Sequence, residues 1–465
     1  MVTEKFRHQL QKEAQQWRKE GFIDSSFYED LANRYQFGDL ETSARNRFVM
    51  IMLGLGSILL GLAVITFIAA NWQVWSRELK VILLLSLFIL INTVGFHLWR
   101  QPSQPWQFKV GQGLLLLGAL ILGANIALMS QIFHQSGPIY QLYLIWGIGV
   151  LLMAYGLRLT LLGMLATILI GLGYLRGWPS LWSTGLVSGF DLAIQHMPLL
   201  ASLLLITLAY WCRSRWIFAL AAILITTSLQ VNLVQFWQRG PVIAMAVTIP
   251  PTLLWGYQDT LSRNDEGERV SLFKPVARGL AIFSLSLLFY SFSFHYFWFE
   301  SQLSREGTTK LLFADWLILA NGFILAAVAL FFWVRLSYST NRRRWGLDST
   351  SVVIALMIFT AGFLFWWHIS VNPLEALATM IFNILLALLA IGLIREALGN
   401  GKRLGFWWGI MLLVVQISSR MLEYNTSLVF KAIVLFLCGI GVIAAGLWFE
   451  RYVRTLHNLP ESPHG

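Results

Sequence analysis

Gln416, Arg420 and Glu423 follow one another at spacings of four and three, which stacks an amide, a guanidinium and a carboxylate on one face of a helix. A guanidinium set among apolar neighbours does one of two things. It closes a charge pair, or it holds the two oxygens of a carboxylate or phosphate side-on. Glu423 offers the first outcome on the same face, and Asp315 and Glu375 offer it from other helices. Lys431 adds a second cation one turn into the next apolar run. With carboxylate partners, these residues are structural glue; without them, Arg420 and Lys431 form an anion site. A buried arginine near a membrane surface favours the pair.

The same part of each apolar run collects further polar groups. Asn71 with Trp72, and Gln131 with His134, close the first and third runs, and His196, Gln230, Asn232, Gln235, His295 and His368 take corresponding places. Ionisable groups cost roughly 2.5–3.5 kcal/mol at the centre of a spanning helix and much less near an interface. Snorkelling into head groups explains the distribution, and so does a polar cavity opening on one side. Enzyme chemistry is not indicated. No HxxxH, CxxC or HExxH spacing sets two metal ligands on one helical turn. Asp315 is the one aspartate within a run, where intramembrane proteolysis by aspartates needs two. No cofactor is expected.

These residues must be positioned by membrane helices. The chain is 57% hydrophobic and 12% charged, against about 25% charged in a soluble domain. Fourteen runs of about twenty apolar residues lie between Phe48 and Phe449, each long enough for a hydrocarbon core of about 30 Å. They read as 48–70, 80–99, 110–133, 140–157, 159–175, 196–212, 216–237, 241–257, 279–299, 314–334, 351–368, 374–394, 404–421 and 428–449. Pro250-Pro251 is expected to interrupt the eighth unless neighbours rescue the freed carbonyls. Gly54, Gly56, Gly61, Gly118 and Gly123 allow close helix approach. Cys212 and Cys438 sit in or beside apolar runs and read as small hydrophobes.

The expected fold is an all-α polytopic integral membrane protein with about fourteen transmembrane helices. With the N-terminus inside, 26 of the 34 basic residues face the cytoplasm and 8 face outward, which predicts an N-in, C-in topology. Arg342, Arg343 and Arg344 fill one inner loop, and Arg263, Arg269, Lys274 and Arg278 another. The net charge of +11 therefore reflects topology and contact with anionic lipid, and argues against nucleic-acid binding. Residues 1–47 form a soluble module. Phe6, Leu10, Ala14 and Trp17 share one helical face, Gly21 ends that helix, and Phe27, Leu31 and Tyr35 mark a second. The pair predicts a cytoplasmic helical hairpin, packed on itself or on the membrane, with partner docking as its functional reading. Beyond it the chain divides into an N-terminal membrane module at 48–178, a central region at 179–403, a two-span unit at 404–450 and a tail at 451–465.

WRKEGFIDSSFYEDLANRY, GLGSILLGLAVITFIAANW and GALILGANIALMSQIFHQSG together resemble the domain-of-unknown-function family 2157 of bacterial membrane proteins, and SSRMLEY with FERYVR is similar to the end of its longer members. The resemblance implies a multi-spanning bacterial membrane protein and carries over no site residues. Two functions fit the residues. One is a transporter or flippase that takes an anionic or amphipathic small molecule or lipid from the outer side. The other is a non-catalytic scaffold or envelope sensor whose hairpin docks a cytoplasmic protein.

Overall fold

The computed structural model describes residues 4–35, 75–134, 137–179, 189–259, 271–299, 313–339, 344–401, 403–423 and 427–457, with Met52, Leu59, Thr66 and Ala70 between them. The rest of the first expected span, Gly54, Gly56 and Gly61 included, and Asn71, Trp72, Arg263, Arg269, Arg342 and Arg343 lie outside the described residues. Met1–Leu87 and Phe88–Gly465 are two compact units, each treated by itself.

In the first unit, α1 (Glu4–Lys19) and α2 (Ser25–Tyr35) form the expected hairpin. Gly21 at φ +77° supplies the left-handed turn after α1, a conformation glycine adopts without a Cβ penalty. Ala14 is fully buried against Leu10, Ile23, Tyr28, Leu31 and Tyr35. The apolar face divides here: Trp17 and Phe27, read from spacing as part of it, are exposed, as is Phe22.

The second unit is built from helices. α3 (Arg77–Arg100) enters it and is followed by α4 (Pro105–Ile132), α5 (Ile139–Leu157), α6 (Thr160–Gly177), α7 (Gly189–Gln195), α8 (Met197–Trp211), α9 (Arg215–Val234) and α10 (Gly240–Gly256). α11 (Lys274–Phe292), α12 (Tyr296–Phe299), α13 (Phe313–Ser337), α14 (Ser349–Ser370), α15 (Glu375–Asn400), α16 (Arg403–Glu423) and α17 (Leu428–His457) complete it. Tyr338–Ser339 pairs antiparallel with Arg344–Trp345 in the one strand ladder among the described residues. Among the described residues, eleven helices are long and apolar enough to cross a membrane, or twelve if α7 and α8 make one bent span. α10, where the eighth span was expected, has 17 residues and falls short of that length.

The Pro250-Pro251 pair does not interrupt its helix. α10 continues through Pro250 and Pro251, both buried. Around them the Thr248 and Thr252 hydroxyls bond back into the helix, and the Trp333 indole donates to the Thr252 carbonyl at 2.8 Å. None of these bonds reaches the carbonyls of Ala246 and Val247, the two that Pro250 and Pro251 leave without a helical donor; α10 runs on through the prolines while held between α13 and α14. The break falls instead at His196, where α7 and α8 meet at 79°. Pro198 stands in the first turn of α8, where it has no N–H for the carbonyl four residues back and so suits a helix start.

Packing is sequential for the most part, α5 on α6, α8 on α9, α15 on α16, with α10 held between α13 and α14. Gly118 faces the Asn92 amide and Gly123 the Trp146 indole so closely that a Cβ at either would overlap its neighbour. The close-approach role read from these two glycines holds. Leu152, Leu203, Phe331 and Phe359 point outward, as expected of surfaces that lipid covers.

Candidate functional site

The densest polar constellation that includes the sequence-derived residues lies where α11 ends, α15 begins and α16 ends. α11 stops at Phe292, and its terminal carbonyls have no helical partner. The Ser293 carbonyl accepts from Asn383 Nδ2 of α15 at 3.0 Å and from Arg420 Nη1 of α16 at 2.5 Å. A cation at a helix C-terminus is favoured by the backbone dipoles as well as by this bond. Gln416, one turn before Arg420, donates to the Asn383 carbonyl at 2.8 Å and to its side-chain oxygen at 3.2 Å. The face read from the spacing of Gln416, Arg420 and Glu423 is therefore the face that binds α15 and the α11 corner.

Arg420 pairs with Glu423, the partner on its own helix. Glu423 is also held by the His295 N–H at 2.9 Å. The Phe294 ring covers the guanidinium at 3.9 Å, a cation–π contact that holds it flat. All the hydrogen bonds of this side chain run through Nη1. Nε and Nη2 are buried and have no partner among the described residues, although the residue as a whole is only 8% exposed. These two atoms form the side-on fork that matches a pair of anionic oxygens, and leaving them unmatched in a buried place costs free energy. Arg420 and Glu423 also line a cavity of about 830 Å³, together with His295, Tyr296, Thr379 and Asn383, while Nε and Nη2 lie beneath its surface. That volume is within the range of about 300–1,000 Å³ common to ligand sites.

The remaining sequence-derived residues are elsewhere. Glu375 opens α15 one turn before Thr379, and Asp315 is in the first turn of α13; both are half-buried and have interactions of their own. Lys431 is half-buried on α17. Gln131 and His134 are exposed at the end of α4, with His134 in a left-handed conformation at φ 53°. None of these lines the cavity around Arg420.

Sequence reasoning missed a second network, at the bend between α7 and α8. The Gln195 carbonyl, released by the break, accepts from Asn232 Nδ2 at 2.7 Å and from Asn321 Nδ2 at 2.9 Å. His196 Nδ1 bonds Asn321 Oδ1 at 2.9 Å, and Tyr174 donates to Asn232 Oδ1 at 2.9 Å. Asn321 and Asn232 are almost fully buried. The available signal was an amide at midspan of α13 with no partner on its own helix; nothing in the spacing gave the partner. Tyr210 and Tyr257 likewise share a bond beside Asp259, which accepts the N–H groups of Phe273 and Lys274 at the start of α11. No three His, Cys, Asp or Glu side chains among the described residues are placed to share a metal ion.

Helices of this length and outward apolarity, broken once at a buried polar network, define a multi-pass membrane protein. Residues 15–163 match the family model described as Predicted membrane protein (DUF2157), so the resemblance read from the N-terminal motifs holds over those residues. Neither a curated protein nor a solved structure matches the chain. The match runs from within α1 to the start of α6, and the constellation around Arg420 lies outside it.

Proposed function

We propose that this is a bacterial inner-membrane protein, with both termini in the cytoplasm, that takes an anionic or amphipathic substrate from the outer side and moves or presents it. The observation that carries this reading is that Arg420 meets Glu423 through Nη1 alone, so that its buried Nε and Nη2 edge has no partner among the described residues, on a side chain that lines an 830 Å³ cavity. In the N-in orientation favoured by the basic residues, that cavity opens at the outer ends of α11, α15 and α16. The broken span at His196 adds support, since transporters place discontinuous helices and freed backbone carbonyls at their substrate and ion paths.

The test is accessibility from outside. In a background with Cys212 and Cys438 replaced by serine, cysteine at Ala376 or Thr379 should react with a membrane-impermeant maleimide applied to intact spheroplasts, and free phosphate should slow that reaction. Labelling only after the membrane is opened would reject the outer cavity.

The scaffold reading rests on one specific observation, the exposure of Trp17, Phe22 and Phe27 on the hairpin. It predicts that alanine at these three positions abolishes the biological phenotype while Arg420→Gln leaves it intact.

A further inference from the structure

A second cavity shares two helices with the first. Between α11 and α16, with Leu393 of α15 contributing to its wall, runs an apolar groove of about 510 Å³. On α11 it extends from Gly279 to Tyr290, and on α16 from Leu404 to Val415. Its upper limit falls one helical turn short of Ser293 and Arg420. Groove and polar site meet through two rings: the Tyr290 ring packs edge-on against the Phe294 ring with centroids 5.2 Å apart, and Phe294 covers the Arg420 guanidinium. On α16, Leu412 lines the groove, and Gln416, Arg420 and Glu423 follow it on the same face at spacings of four, four and three. The apolar trough thus ends at the aromatic pair that covers a buried cation, whose Nε and Nη2 have no partner among the described residues.

We propose that the occupant is one long-chain anionic lipid, its chain in the groove between α11 and α16 and its phosphate or carboxylate on the Nε and Nη2 edge of Arg420. The inference rests on the outer anion site and adds the class of molecule that fills it. Length and charge both select this occupant. Arg420 stands sixteen residues beyond Leu404 on α16, about 24 Å at about 1.5 Å per residue, which a soluble anion leaves unfilled and an extended acyl chain follows. A zwitterionic head group brings its own cation toward Arg420 and is disfavoured. The apolar wall takes no account of the chain's identity, so discrimination lies in the head group.

The full-length protein in detergent is offered dioleoyl phosphatidic acid or dioleoyl phosphatidylcholine, and retained lipid is counted by native mass spectrometry. Gly279→Leu fills the groove without moving the backbone, because a Cβ there meets nothing within 4 Å; Val415→Phe fills it from the other wall. Wild type should retain one phosphatidic acid at least fivefold over phosphatidylcholine, and Gly279→Leu, Val415→Phe and Arg420→Gln should each cut that retention fivefold or more. If Arg420→Gln releases the lipid while both groove variants keep it, the groove is not the chain site and this inference fails, with the anion site intact. If the groove variants release it and Arg420→Gln does not, the head group lies at the opposite end and the assignment is overturned. Equal retention of both lipids, unchanged in every variant, means bulk phospholipid only and rejects the groove and the anion site together.

Discussion

Arg420 bonds two acceptors through one nitrogen, the Ser293 carbonyl and the Glu423 carboxylate. Lysine at this position keeps the charge but loses the planar fork. Arg420→Lys should therefore hold thermal stability closer to wild type than Arg420→Gln does, while losing anion retention as fully; scanning fluorimetry alongside lipid retention separates the two. Equal retention in Arg420→Lys would show that charge alone matters. Truncating Glu423 together with Arg420 should cost less than the sum of the single changes, since each leaves the other charge unpaired. At the bend before α8 the opposite sign is expected. The Gln195 carbonyl has two donors, Asn232 and Asn321. Either Asn→Ala leaves one donor in place and should cost about 0.6–1.7 kcal/mol, whereas the double variant takes both side-chain donors from a half-buried carbonyl and should exceed the sum. Additive unfolding temperatures across the two singles and the double would refute this sharing.

Among elements, α4 shows how glycine sets helix separation. Gly123 admits the Trp146 indole, which donates to the Ala119 carbonyl at 2.8 Å. Gly123→Ala should destabilise by about 1–3 kcal/mol through overpacking. Gly113→Ala, on the same helix with nothing within 4 Å of its Cβ, should be neutral or mildly stabilising. Matching thermal shifts in the two variants would show that glycine content, and not contact, is what α4 requires. The hairpin has a similar internal logic: Ala14 sits at its centre with no accessible surface, so Ala14→Leu should loosen α1 from α2, while Trp17→Ala should not. Proteolysis between Lys19 and Ser25 reads the difference.

For the whole molecule, the excess of basic residues on alternate connections predicts one orientation. A fluorescent-protein fusion at the C-terminus should be bright, and an alkaline phosphatase fusion within residues 300–312 should be active. The reverse pair of results would turn the molecule over and put the Arg420 cavity on the cytoplasmic side.

Membrane class, helix positions and the hairpin were legible in the sequence, because apolar length and helical spacing are local quantities that each segment carries alone. So was the face shared by Gln416, Arg420 and Glu423, which spacing dictates in any helix. Which helices are neighbours is another kind of fact. That Arg420 reaches the Ser293 carbonyl, that Trp333 bonds the Thr252 carbonyl beside the two prolines, and that Asn232 and Asn321 meet on the Gln195 carbonyl all depend on contacts between residues tens to more than a hundred positions apart. Only tertiary packing brings such groups within bonding distance, so it alone decided where the polar side chains are satisfied and where Nε and Nη2 of Arg420 go without a partner among the described residues.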